Sequence, residues 1–183
     1  AVVLFVDLVG YTARSERRAP EQVLSELNTW FGFVDPVVSR WGGIIDKRIG
    51  DGIMLVFVDD EEHELSANGR AVACAVDILK KVAPASRKLV EAGAEPLAIR
   101  VGLAGGNVVQ GNMGSEIRME HTVIGDVVNL ASRLESNARP GTALLQAELR
   151  EYVPDDAVVC SRRTILVKGR QAPIEVIEVC APE

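Results

Sequence analysis

The chain is short of positive charge, thiols, imidazoles and long apolar runs, and each shortage removes a class of protein. Its 183 residues carry 20 Lys and Arg against 26 Asp and Glu, a net charge of −6 with a pI near 5.1. A protein that coats nucleic acid relies on clustered positive charge to displace counterions from the phosphate backbone, so that class is disfavoured. A small anionic substrate held by a few placed cations and a metal remains open. The longest apolar stretches, such as residues 1–6, are too short to span a bilayer. No basic leader precedes an apolar core at the start. The abrupt opening on a strand-like run fits one domain, residues 1–183, excised from a longer chain.

The three cysteines, Cys74, Cys160 and Cys180, are odd in number and scattered. They match neither a disulfide framework nor metal-ligand spacing, so they are expected to be reduced and mostly buried, in a cytoplasmic setting. His63 and His121 lie far apart and read as structural or solvated. What is present is ordinary for a folded domain: 48% hydrophobic and 25% charged residues.

The near-continuous apolar run at residues 1–6, ended by Asp7, reads as a strand buried on both faces. From Pro20 to Arg40, Val23, Leu27, Trp30, Phe31, Val34, Val37 and Val38 recur at the spacing of a helix with one buried face, with Pro36 disturbing the last turn. Strands follow at 44–49 and 53–58, joined by Gly50-Asp51-Gly52, a strong hairpin signal. An acidic loop leads into a helix carrying Ala71, Cys74, Ala75, Ile78, Leu79 and Val82. A strand is expected at 97–103, then a Gly-rich hairpin arm, a helix at 126–137, and strands at 143–145, 163–167 and 174–179. This order predicts an α+β fold with helices over a mainly antiparallel sheet. Its core is a ferredoxin-like β-α-β-β-α-β unit, with an added hairpin arm and a C-terminal α/β extension.

Asp7 ends one strand and Asp51 sits at the tip of a hairpin expected beside it, so the two carboxylates can converge at one sheet edge. Two carboxylates with no local histidine or thiolate suit hard cations such as Mg²⁺ or Mn²⁺. Gly10, two residues beyond Leu8, permits close backbone approach, and successive N–H groups entering a helix can cradle phosphate oxygens. Equally, an Asp at a strand end is commonplace and Gly-Asp-Gly is a generic turn. On a wheel of about 100° per residue, Leu130, Ala131 and Leu134 fall within roughly 60° of Val127 and define a core face. Asn129 and Arg133 fall at about 200° and 240°, jointly available to something outside the fold.

These segments together resemble class III nucleotide cyclases. Phe5-Val6-Asp7-Leu8-Val9-Gly10-Tyr11-Thr12 looks like their opening motif and Lys47-Arg48-Ile49-Gly50-Asp51-Gly52 like their second. Residues 122–135, Thr-Val-Ile-Gly-Asp-Val-Val-Asn-Leu-Ala-Ser-Arg-Leu-Glu, resemble the third, and Val167-Lys168-Gly169-Arg170 the closing one. The resemblance spans essentially the whole chain, in order. It implies conversion of ATP to cyclic AMP in a homodimer with both active sites at the interface. In that reading Asp7 and Asp51, helped by the Leu8 carbonyl, hold two divalent cations. Asn129 orients the ribose and Arg133 stabilises charge on the α-phosphate. Arg100, Lys168 and the backbone of Gly10, Tyr11 and Thr12 hold the triphosphate, and regulatory domains lie outside this segment. The purine-reading positions fall at Lys47 and Thr122. An ammonium has only donors, so Lys47 suits adenine N1 and not guanine N1–H. Thr122, as in one recognised subgroup, can both accept and donate, so ATP is favoured with some GTP use.

Ala104-Gly105 departs from the His-Thr often found there, and touches no catalytic role. A silent cyclase-like module would be expected to lack Asp7, Asp51, Asn129 or Arg133, and none is missing. A guanylate cyclase would carry a carboxylate at position 47. A palm-type polymerase or diguanylate cyclase lacks its signature here, and a plain structural domain leaves the joint match of all motifs unexplained.

Overall fold

A computed structural model describes residues 1–93, 95–115, 117–168 and 172–181, with the side chain of Arg118 left aside. Gly169 and Arg170 of the closing motif lie outside the described residues. The apolar run at the start forms β1 (Val2–Leu8), which lies between β3 (Gly52–Phe57) and β4 (Ile99–Gly105), antiparallel to both. The hairpin partner of β3 is β2 (Ile44–Ile49), and the full sheet runs β2-β3-β1-β4-β7-β9-β8. Here β7 is Thr142–Gln146, β8 Val158–Ile165 and β9 Ile174–Cys180. Among the described residues only β4 and β7 pair in parallel. The first four strands in that order are the ferredoxin-like core expected from the β-α-β-β-α-β pattern.

Alternation explains the layering. Val2, Leu4 and Val6 of β1, with Ile53, Leu55 and Phe57 of β3, face one core, under α2 (Pro20–Arg40) and α3 (Ala67–Glu91). Val3, Met54 and Val56 face a second core, under α4 (Asp126–Asn137). A strand buried on both sides is apolar along its length, and β1 is so from Val2 to Val6, before Asp7. α2 runs unbroken through Pro36, since Val34, Val37 and Val38 are buried on either side of it and their packing outweighs one lost backbone bond. α4 approaches β4 closely at Gly102, where an added Cβ would stand 2.0 Å from the Glu135 nitrogen. The arm, β5 (Val109–Ser115) and β6 (Arg118–Ile124), forms a separate two-stranded sheet.

Several local expectations are corrected. A one-turn helix, α1 (Tyr11–Ser15), and a 3-10 helix at Ala147–Tyr152 were too short to show a period. β4 begins two residues later than expected. β8 begins at Val158, hidden because only part of its alternately exposed face is apolar, with Arg162 and Thr164 on it. Cys160 and Cys180 are joined by a disulfide, with Cα atoms 6.1 Å apart, against the expectation of reduced thiols. Antiparallel pairing sets Val158 opposite Cys180, and a bulge between Val159 and Ser161 puts Cys160 beside it, a proximity that cysteine spacing does not reveal. Cys74 alone is free and buried, its thiol pushed up to about 12 by burial. With two of the three cysteines bonded, the thiols do not point to a reducing compartment. Among the described residues no helix is long and apolar enough to cross a membrane.

Candidate active site

Asp7 stands near the end of β1 and Asp51 in the β2–β3 turn, and strand pairing brings their carboxylates near enough to act on each other. Two neighbours fix the turn. The Leu8 N–H donates to Asp51 Oδ2 at 3.1 Å, and the Trp30 indole N–H donates to the Asp51 carbonyl at 2.9 Å. Asp51 is 8% exposed and Trp30 4%. Burial chiefly, then the hydrogen bond and charge of Asp51 and the charge of Glu135, raise the Asp7 pKa to about 7, against the Leu8 N–H. Glu135 is itself raised, by burial first.

Across the ladder from Asp7 lies Arg100 on β4. Its charge opposes the rise at Glu135, and its buried Nε has no hydrogen-bond partner. Beyond Leu8, Gly10 turns the chain with φ of 70° into α1, a left-handed conformation that glycine adopts without strain. Tyr11 is buried, its hydroxyl donating to the Val23 carbonyl at 3.1 Å, while Thr12 is exposed.

A second group gathers where β2 meets the arm. Lys47 Nζ lies 3.3 Å from Asp46 Oδ2, and the Thr122 hydroxyl of β6 donates to the same oxygen at 2.8 Å. Thr122 is 3% exposed. On α4, Val127, Leu130, Ala131 and Leu134 are buried, as the wheel predicts, leaving Asn129 exposed and Arg133 half-buried on the other side. Lys168 is exposed just after β8. One chain thus joins Asp7, Leu8, Asp51 and Arg100 in one place and Lys47 with Thr122 in another. Among the described residues, Asn129, Arg133 and Lys168 form no hydrogen bond or ion pair with either group.

Three residues escaped sequence reasoning. Trp30 read only as core. Asp46 gave no signal, because its partner lies 76 residues away. Glu135 could have been found: it falls at about 80° on the same wheel, at the edge of the core face and not in solvent.

The donor set fits divalent cations. Two carboxylates are held together against their own repulsion, with an orphaned guanidinium nitrogen beside them. Among the described residues no cluster of three or more His, Cys, Asp or Glu forms a closed cage. An open carboxylate pair is the arrangement that leaves Mg²⁺ coordination to water and substrate phosphates. A hollow of about 480 Å³ lies elsewhere, between α3 and the start of β4. None of Asp7, Asp51, Lys47, Thr122, Asn129 or Arg133 lines it.

The described residues thus join a ferredoxin-like core, a pair of acidic residues at one sheet edge and an extra two-stranded arm. The sequence model of the adenylate and guanylate cyclase catalytic domain matches residues 1–177, and the chain belongs to that family. An adenylate cyclase of Anabaena cylindrica is 32% identical over 98% of this chain. This chain spans 36% of that relative's length. The crystal structure of the adenylyl cyclase CyaB from P. aeruginosa superposes with a TM-score of 0.86 at 32% identity, covering 100% of this chain and 94% of that one. A crystallised guanylyl cyclase does so with 0.85 at 34%, covering 100% and 92%. Fold and overall identity therefore do not separate the two activities. The residues at the base site must.

Proposed function

We propose that this domain is an adenylate cyclase, converting ATP to 3′,5′-cyclic AMP and pyrophosphate in a homodimer with two interfacial sites. The observation that carries the reading is the convergence of Asp7 and Asp51, whose carboxylate is held by the N–H of Leu8 next to Asp7, at motif positions of a chain belonging to the cyclase family. Two divalent cations, Mg²⁺ or Mn²⁺, supply Lewis-acid chemistry when bound, lowering the pKa of the ribose 3′-hydroxyl and neutralising phosphate charge. Asp7, Asp51 and the Leu8 carbonyl are the groups that hold them. Arg100, with its unpartnered Nε, binds the triphosphate together with Lys168 and the backbone of Gly10, Tyr11 and Thr12. The 3′-oxygen attacks the α-phosphorus in line, and pyrophosphate leaves. Such catalysis is mostly positioning and charge neutralisation.

From the partner copy, Asn129 orients the ribose and Arg133 meets the charge growing on the α-phosphate, a contribution of ~3–4 kcal/mol for a donor of this kind. Their placement on the solvent side of α4 supports a role toward a second chain. So do the exposed Val109, Met113, Met119 and Ile124 of the arm, apolar groups that a partner surface would cover. Lys47 and Thr122 read adenine. The domain acts as one cytoplasmic catalytic unit, and the 36% of the Anabaena cylindrica relative that it spans is in keeping with regulatory segments lying outside it.

Incubation with ATP and, separately, GTP, each with Mg²⁺ and Mn²⁺, should yield mainly cyclic AMP by mass spectrometry. Absence of any cyclic nucleotide refutes the reading. Mixing inactive Asp7→Ala with inactive Arg133→Ala should restore part of the activity, and no rescue in verified heterodimers would refute shared sites.

A further inference from the structure

Strand β2 contains a bulge at a residue that no cyclase role so far accounts for. Ile45 pairs with Leu55 and Lys47 with Met54, which leaves Asp46 as the extra residue. In an unbulged strand successive side chains point to opposite faces, and Asp46 would be turned away from Lys47. Bulges re-aim side chains, and they recur beside active sites. Here Asp46 Oδ2 reaches both Lys47 Nζ, at 3.3 Å, and the Thr122 hydroxyl, at 2.8 Å. The Asp46 side chain is 6% exposed against 31% for Lys47, so it lies beneath the surface that Lys47 presents. One buried oxygen thereby ties the main sheet to the arm.

We propose that Asp46 is a positioning residue that sets the nucleotide preference, by converting Thr122 from an ambiguous hydroxyl into a fixed acceptor. The inference rests on the reading that Lys47 and Thr122 face the purine. A threonine hydroxyl has a single proton. With that proton given to Asp46, only lone pairs of Thr122 Oγ1 remain for a ligand. Adenine offers a 6-amino donor and guanine a 6-oxo acceptor, so a fixed acceptor pairs with the first and repels the second. Lys47, held by the same carboxylate, supplies the complementary donor for N1. Without Asp46 the hydroxyl rotates and can donate to guanine O6.

The test uses the whole chain with ATP and GTP for turnover, and their 3′-deoxy analogues, which cannot cyclise, for binding. Asp46→Ala should lower the ATP-over-GTP ratio about tenfold in kcat/KM, mostly through KM, and in analogue binding alike. Asp46→Asn keeps an acceptor for Thr122 but drops the charge beside Lys47, and should lose about two- to threefold. In a Thr122→Val background the Asp46→Ala loss should shrink by at least half, because the two residues share one interaction. A merely structural role would weaken both nucleotides equally. An unchanged ratio in either variant that folds by circular dichroism, or full additivity with Thr122→Val, overturns the proposal. Turnover by the parent chain with no ATP preference overturns it while leaving the cyclase reading intact. Analogue binding with a clear adenine preference but no cyclic product overturns the cyclase reading alone, and no binding of either analogue overturns both.

Discussion

The two polar clusters of this chain are built on opposite electrostatic principles. At the β1 edge, Asp7 and Asp51 are like charges set side by side within reach of the Glu135 charge, and burial chiefly raises Asp7 to a pKa of about 7. At the β2–arm junction, Asp46 sits between a cation and a hydroxyl donor, each satisfying it. The first cluster is uncomfortable until something positive arrives, so it reads as a binding site for charge. The second is complete by itself, so its groups are already oriented before any ligand comes, which is what discrimination between similar ligands requires.

Breaking the first cluster should give the largest effect. Asp7→Asn keeps shape and a hydrogen bond to Asp51 but removes a cation ligand, and turnover should fall at least about a thousandfold, measured as cyclic AMP formed at saturating ATP and metal. Residual activity near the parent level would place the cation ligands elsewhere. Reversing the second cluster comes next. Lys47→Glu removes the donor for adenine N1 and sets a like charge beside Asp46. The ATP-over-GTP ratio of kcat/KM should drop about a hundredfold, while the cation dependence stays as it was. An unchanged ratio would remove Lys47 from base reading.

Much of this contrast was legible in the sequence, and the parts that were not share a cause. Asp7 and Asp51 could be paired in advance because a hairpin following a crossover helix returns beside β1, as β3 does. The two faces of α4 followed from periodicity alone. Asp46, the Cys160–Cys180 bond and the Trp30–Asp51 contact did not follow, because each depends on register or on a partner far along the chain. A bulge shifts side chains by one position without any residue type that announces it, and both the Asp46 contacts and the disulfide arise at bulges.

A smaller effect tests how rigidly the acidic cluster must be held. Trp30→Phe keeps the aromatic packing but takes away the N–H that meets the Asp51 carbonyl. Loss of one buried hydrogen bond is worth about 1 kcal/mol, so kcat/KM should fall about fivefold, with a comparable loss of stability in urea titration. If stability falls and activity does not, Trp30 supports the core and not the turn.

The effect that leaves turnover aside is in the stability of the cation-free protein, and its sign marks the acidic cluster as strained. The Asp7 pKa is raised in the folded state from 3.8 to about 7. The folded chain therefore holds a proton that the unfolded chain has released, and between those pH values stability declines as pH rises. Asp7 is only half-buried, so solvent screening reduces the loss to ~1–2 kcal/mol across the window. Urea titrations at pH 5 and pH 8 without divalent cations should show this decline in the parent chain and a smaller one in Asp7→Asn. The variant would then be the more stable protein at pH 8, though inactive. Adding Mg²⁺ at pH 8 should stabilise the parent and not the variant, because the cation takes the place of the proton.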